Sequence, residues 1–269
     1  MKTEDGRRKT EVRPKKALGQ HFLIDQNIAR KIVEQLSPDV ECIVEVGAGM
    51  GVLTQFLVQD SLEKLYVIEI DKESVAYLRS HFPMLGNRLI EGDFLKTDLH
   101  PYDQQNMAVI GNFPYNISSQ IFFQVLKHKE LVVEVVGMVQ KEMAERMAAK
   151  EGSKTYGILS VLMQAWYDID YRFTVNENVF NPPPKVKSAV IKMRRNNVTD
   201  LGCDEKLFVN IVKQSFNQRR KTLRNSLRSL LNPDITDNEV FNKRPEQLSV
   251  KDFIDLTNLI GLSASHDAQ

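Results

Sequence analysis

Between residues 42 and 140 one pattern recurs: a short apolar run, a loop, then an amphipathic stretch. Ile43-Val44-Glu45-Val46 ends at Gly47, after which Leu53, Phe56 and Leu57 fall at helical spacing. Leu65-Tyr66-Val67-Ile68-Glu69-Ile70 is a second such run, followed by Val75, Leu78 and Phe82. Residues 88–93, 107–112 and 132–139 read as the third, fourth and fifth strands. Strands separated by helical segments are βαβ units, and these imply an α/β fold of the Rossmann-like kind, with a predominantly parallel sheet and crossover helices on its faces. Ligands of such sheets sit at the carboxyl ends of the strands, so those ends are where chemistry is expected.

Farther along, residues 159–166 read as a helix, and residues 171–175 and 188–193 as strands flanking the rigid turn Asn181-Pro182-Pro183-Pro184. Residues 194–202 are polar and turn-rich, a linker. Phe208, Ile211, Val212, Phe216, Leu223, Leu227 and Leu230 then recur at threes and fours, which predicts a small all-α domain. The expected division is 1–195, with a basic segment at 1–20, and 204–269. A chain of 269 residues, 42% hydrophobic, can bury the cores of two domains. Its 13 glycines and 10 prolines are too few for a fibrous or low-complexity protein. Every apolar run falls well short of the ~20 residues that span a bilayer, and the first twenty residues lack the apolar stretch of a secretory signal. Cys42 and Cys203 make neither a disulfide framework nor a zinc site. A cytoplasmic monomer away from membranes is expected.

Net charge is only +1, yet it is unevenly distributed. Residues 7–16 and 207–233 together hold 12 of the 36 cations and 1 of the 35 anions. Two basic patches on an acidic body suit a polyanion gripped at defined places. Lys15 and Lys16 in the first window, and Arg219, Arg220, Lys221, Arg224 and Arg228 in the second, are the candidate RNA contacts. Arg220, Arg224 and Arg228, at i, i+4 and i+8, are expected on one helical face opposite Leu223, Leu227 and Leu230.

Residues 45–51, Glu-Val-Gly-Ala-Gly-Met-Gly, lie between a strand and a helix, where glycines let backbone approach a ligand. A dinucleotide fingerprint needs a third glycine at position 52, which is Val52, so the G-x-G-x-G spacing favours S-adenosylmethionine over a dehydrogenase cofactor. Gly47 and Gly49 are the expected backbone contacts. Glu69, ending the second strand, is placed to accept both ribose hydroxyls, and Asp93, after the third, to accept from an adenine amine. The fourth strand ends in Asn112-Phe113-Pro114-Tyr115-Asn116. To methylate an adenine N6, an enzyme must extract the base, hold its amine with acceptors and aim it. The Asn112 side-chain oxygen and the Phe113 carbonyl supply acceptors, Pro114 stiffens the loop and Tyr115 offers a stacking face. That chemistry requires no metal and no strong general base.

Residues 15–23 (KKALGQHFL), the Gly47 loop, 112–119 (NFPYNISS), 179–190 (VFNPPPKVKSAV) and 216–227 (FNQRRKTLRNSL), in that order, resemble the bacterial small-subunit rRNA adenine dimethyltransferases over nearly the whole chain. The resemblance implies a methyltransferase that uses S-adenosylmethionine to dimethylate the N6 amines of two adjacent adenosines in the 3′-terminal hairpin of 16S rRNA, late in 30S subunit maturation. It further implies that His21 and Leu23 complete the cofactor pocket beside Gly47, Glu69, Asp93 and Asn112, and that Phe180 stacks on the target base opposite Tyr115. Position 21 is His where some members carry Asn, and position 113 is Phe where Leu is commoner. Two alternatives stand beside this reading: a 23S rRNA adenine methyltransferase of the macrolide-resistance type, which shares cofactor and catalytic loop, and a ribosome-assembly factor that acts mainly by binding. The 216–227 segment and the triple-proline turn favour the small-subunit enzyme.

Overall fold

The computed structural model describes residues 12–102 and 106–266. Among them the strands are β1 (Phe22–Leu23), β2 (Cys42–Val46), β3 (Leu65–Glu69), β4 (Leu89–Glu91), β5 (Met107–Asn112), β6 (Val132–Gln140), β7 (Tyr167–Val175), β8 (Phe180–Asn181) and β9 (Ser188–Arg195). All but β1 and β8 form one sheet in the order β4-β3-β2-β5-β6-β9-β7. The pairs β2/β3, β3/β4, β2/β5 and β5/β6 are parallel. The order runs outward from β2 to β4, then returns to β5 on the other side of β2. This reversal leaves a crevice at the carboxyl ends of β2 and β5, because the connections leave on opposite sides there. Register brings the ends level: Val46 is opposite Ile68 and Glu69 opposite Glu91.

Helices α1 (Gln26–Val33), α2 (Thr54–Ser61), α3 (Lys72–His81) and α4 (Ser118–Lys127) belong to the same body. Asp25 and Asp71 accept from backbone amides in the first turns of α1 and α3, satisfying donors that a helix start leaves unpaired. The core between sheet and helices includes Ile32, Ile43, Leu57, Leu65, Val67, Leu78 and Ile110. The expected central strands are present with ends shifted by a residue or two. The small antiparallel ladder of β1 with β8, and α1, went unforeseen. A two-residue strand has too little pattern to be seen from sequence.

Packing groups residues up to Lys141 with Arg172–Lys192, and Glu142–Tyr171 with the chain from Met193 onward. This grouping differs from a 1–195/204–269 division at 142–171 and at 193–195. The second unit contains α5 (Lys141–Met147) from Glu142 on, α6 (Ile158–Gln164), α7 (Glu205–Asn217), α8 (Leu223–Ser226) and α9 (Val250–His266). Phe216 lies between the rings of Tyr156 and Phe253, at centroid distances of 6.0 and 5.9 Å.

One expectation is overturned here. Arg220, Arg224 and Arg228 do not share a helical face: Arg220 lies in the turn after α7, Arg224 in the four-residue α8 and Arg228 in a following 3-10 turn. Thr222 is extended, and the Leu223 amide donates to the Lys243 carbonyl at 2.9 Å, so the helical ladder cannot run through this point. Among the described residues no helix is long and apolar enough to cross a membrane.

Candidate functional site

At the carboxyl ends of β2, β3 and β5 lies a cavity of about 250 Å³. Gly47, Gly49, Glu69, Asp93, Asn112, Phe113, Pro114, Tyr115 and His21 all line it, so most of the expected site residues converge. Gly47 adopts φ +71°, and a Cβ there would meet only Pro114 Cδ at 4.0 Å, so a side chain would occupy open space beside the cavity. At Gly49, with φ +57°, a Cβ would strike the Phe22 ring at 2.8 Å. The glycines thus serve both the fold of the loop and its closeness to whatever fills the cavity.

Glu69 is almost wholly buried and takes one backbone amide on each oxygen: Gly49 N–H at 2.9 Å and Asp71 N–H at 2.8 Å. Burial raises its pKa, while the Asp71 and Gly49 amides pull the other way. Each carboxylate oxygen has a further lone pair, so the group is fixed in place and still able to accept hydroxyls. Asp93 accepts from the Leu95 amide at 3.0 Å with one oxygen, and Lys96 Nζ is 3.8 Å from the other.

Sequence reasoning overlooked a second acid. Glu45 is buried under the glycine loop, accepts from Thr54 Oγ1 at 2.7 Å, and is pushed up to about 8 by burial, with the charge of Glu69 adding to the rise. Its signal was its position, an acid inside an otherwise apolar strand two residues before Gly47. Because the folded protein holds this proton and the unfolded chain releases it near 4.5, folding stability falls as pH rises from about 4.5 to about 8. Glu45→Gln is expected to flatten that fall, by up to roughly 1.4 kcal/mol per pH unit in this window. Denaturant midpoints across pH for both proteins check it, and parallel curves would refute it.

The segment before β1 forms the outer wall, with Ala17, Leu18, Gly19, Gln20, His21 and Phe22 on the cavity. Phe22 and Gln20 were not foreseen. His21 Nδ1 lies 2.8 Å from the Pro182 carbonyl, and its ring stacks on Tyr115 with centroids 5.4 Å apart. Lys15, a candidate RNA contact, pairs through its ammonium with Asp71 and, at 3.1 Å, with Glu73. It ties this wall to the start of α3.

Asn112 Nδ2 donates to the His21 carbonyl at 2.8 Å. A carbonyl can only accept, so the amide's orientation is fixed and its oxygen is the end that remains an acceptor. The Phe113 amide donates to Met138 O at 3.0 Å, and the Phe113 ring is fully buried. Phenylalanine fits because glycines flank it: a Cβ at Gly111 would lie 2.8 Å, and one at Gly137 2.5 Å, from its ring. Ser118 Oγ donates to the Pro114 carbonyl, bracing the turn at the start of α4. The Tyr115 hydroxyl meets Ser188 Oγ.

Two expected site residues stand apart. Leu23 and Phe180 are 2% and 3% exposed, sit opposite each other in the β1/β8 ladder and pack into the hydrophobic core rather than lining the cavity. Of the candidate RNA contacts, Lys16, Arg220, Lys221 and Arg228 are exposed. Arg219 is half-buried and donates to the Ser153 carbonyl at 3.1 Å, and Arg224 to Asn242 Oδ1 at 3.3 Å. Of the basic window 7–16, residues 7–11 lie outside the described residues.

Residues 12–261 match the family described as Ribosomal RNA adenine dimethylase. The chain is 59% identical, over 93% of its length and 94% of theirs, to Ribosomal RNA small subunit methyltransferase A of Bacteroides thetaiotaomicron. It is 60% identical over 93% of each chain to the protein of that name from Bacteroides fragilis. Among solved structures it resembles a dimethyladenosine transferase from Plasmodium falciparum, with a TM-score of 0.74 at 24% identity, covering 92% of this chain and 98% of that one. It also resembles the 23S rRNA methyltransferase ErmE, with a TM-score of 0.62 at 23% identity, covering 88% and 99%. Those two likenesses speak to the fold. By its family match and these relatives, the chain belongs to the ribosomal RNA adenine dimethylases.

Proposed function

We propose that this methyltransferase dimethylates the N6 amines of two adjacent adenosines in the 3′-terminal hairpin of 16S rRNA, on the small subunit or its precursor, with S-adenosylmethionine as donor. The observation that carries the reading is the orientation of Asn112. Its nitrogen is held by the His21 carbonyl, which leaves its oxygen as an acceptor, and the residue lines the cavity.

The residues present suit that donor. The open space above Gly47 admits a ligand against the backbone, Glu69 is an anchored acceptor for vicinal hydroxyls, and Asp93 lines the same cavity as an acceptor for an exocyclic amine. When bound, S-adenosylmethionine supplies a methyl carbon made electrophilic by its sulfonium. Asn112 Oδ1 and the Phe113 carbonyl accept hydrogen bonds from the N6 amine of an extruded adenine, which orients its nitrogen toward the methyl carbon. Pro114 and the Ser118 bond hold that loop rigid, so the amine's approach is set before reaction. Tyr115, stacked on His21, presents an aromatic surface at the cavity.

The direct test is methyl transfer to 30S subunits from a dimethylation-deficient strain, with modified positions mapped on both rRNAs. Modification of 23S rRNA instead would favour the macrolide-resistance type, and subunit binding without transfer would favour an assembly factor. Glu69→Ala is expected to weaken S-adenosylmethionine binding by about 10- to 100-fold, the worth of a charge-assisted contact of about 1.5–3 kcal/mol. It also lowers the melting temperature, because the Gly49 and Asp71 amides lose their acceptor. Calorimetric titration reads the first effect, and an unchanged Kd would defeat the assignment.

For the RNA side, Arg220, Lys221 and Arg228 are the exposed ones among the candidate contacts of the second window. Replacing all three with Gln is expected to lower the magnitude of the slope of log K against log salt for subunit binding by about 0.7–0.9 for each phosphate that is no longer neutralised, with cofactor affinity unchanged. A slope that stays put in the folded variant would assign RNA binding to other surfaces.

A further inference from the structure

We propose that Asp98, His100 and His128 form a binding site for one divalent transition-metal ion, of which zinc is the best chemical match. A carboxylate oxygen of Asp98 and one ring nitrogen from each histidine all lie within 4.8 Å of one another. The three residues come from two separated stretches of chain. Asp98 and His100 precede β5, with His100 opening a 3-10 turn, whereas His128 closes α4. The fold itself brings them together: Gln124 on α4 donates to the Thr97 carbonyl at 2.9 Å, pinning the first stretch against the helix.

His128 provides the observation that an ordinary polar cluster would lack. Its side chain is 95% buried, being only 5% exposed, and its Nδ1 has no hydrogen-bond partner among the described residues. A buried ring nitrogen left in that state is destabilising, and such groups call for an explanation. Its backbone is held at the end of α4 by the amide's bonds to the Gln124 and Val125 carbonyls. His100 stands edge-on to it with ring centroids 5.6 Å apart and lies 2.7 Å from Asp98 Oδ1.

The donor set selects the ion. Calcium and magnesium take oxygen ligands, whereas two imidazoles and a carboxylate suit zinc and its neighbours, with water in the fourth position. Tetrahedral bonds of about 2.0–2.2 Å put ligands roughly 3.5 Å apart, so separations near the 4.8 Å limit must close by about an ångström, while the hydrogen-bonded Asp98–His100 pair, at 2.7 Å, must open to admit the ion. Asp98 and His100 are both largely exposed and free to supply that movement, with the buried His128 as the fixed point. The segments involved lead into β5 and β6, at the amino ends of the parallel strands. The methyl-transfer cavity lies at their carboxyl ends. A metal here therefore ties the chain before β5 to the end of α4 and contributes stability.

The test uses the full chain stripped with chelator and titrated with zinc chloride, then with cobalt chloride. The expected result is one equivalent bound, a higher melting temperature with zinc, and cobalt d–d absorption without the near-ultraviolet band of a thiolate ligand. His100→Ala and Asp98→Ala, at exposed positions where the fold should survive, are expected to weaken binding at least about 10-fold and to abolish the thermal shift. His81→Ala, away from the cluster, leaves both intact. Absence of a bound equivalent in the wild-type chain, a thiolate band, or equal affinity in the wild type and both cluster variants would overturn the site.

Discussion

Asn112→Ala is expected to lower kcat for methyl transfer by about 10²- to 10³-fold, the usual consequence of deleting one preorganised polar group at a reacting centre. The substitution removes the acceptor aimed at the cavity and also the anchor of the His21 carbonyl. Asn112→Asp separates the two roles. It keeps an accepting oxygen but cannot donate to the His21 carbonyl, so it sets a negative charge against that oxygen and loosens the wall at 17–22. The alanine variant should thus lose kcat with a smaller change in cofactor Kd, and the aspartate variant should lose cofactor affinity more severely. Single-turnover rates with calorimetric Kd values check both, and a folded Asn112→Ala enzyme with undiminished kcat would refute the acceptor role.

The sheet and the cavity were legible because both depend on short-range pattern. Short apolar runs such as 107–112 and 132–139, alternating with helical stretches, favour buried strands of a parallel sheet, and such a sheet opens its cavity at the strand ends, where Gly47, Glu69, Asp93 and Asn112 lie. What escaped depends on contacts distant in sequence. Phe22 was invisible as a cavity residue because its position over Gly49 follows from the pairing of β1 with β8, more than 150 residues away. Lys15 looked like one of a run of surface cations until Asp71, capping α3, supplied it with a partner. The regular spacing of Arg220, Arg224 and Arg228 suggested a helix that the Leu223 amide, bound to Lys243, interrupts. Asp98, His100 and His128 carry no sequence signature at all, since their separation of about 30 residues matches no metal-binding spacing.

Phe113 shows the same division from the other side. The substitution of Phe for the commoner Leu raised a question of volume that the residue itself cannot answer. Gly111 is its near neighbour in β5, but Gly137 lies on β6, brought opposite Gly111 by the register of the two strands. Together they leave the space a larger ring fills, with Phe122 edge-on at 5.8 Å. The loop's backbone, and hence the Phe113 carbonyl, is therefore set by packing beneath it.

Phe180→Ala is expected to cost about 3–5 kcal/mol of stability, the range for removing a buried aromatic from a core. For a body of this size that corresponds to a fall of roughly 10 °C or more in melting temperature. The ring is 3% exposed, clusters with Leu23, Val175 and Val190, and anchors the ladder that holds β1 in place. Losing it should also loosen the Phe22–His21 wall, so cofactor affinity and turnover fall together. A base-stacking platform behaves otherwise: its removal lowers turnover while leaving melting temperature and cofactor Kd almost unchanged, because an exposed aromatic contributes little until the base arrives. Tyr115→Ala is the comparison: Tyr115 lines the cavity but is half-buried, stacked on His21 and bonded to Ser188, so its loss is expected to lower turnover with a smaller fall in melting temperature than the loss of Phe180. Melting curves and cofactor titrations on the two variants side by side decide the matter. A Phe180→Ala enzyme with its melting temperature intact and its turnover lost would return the ring to the stacking role that the sequence resemblance implies.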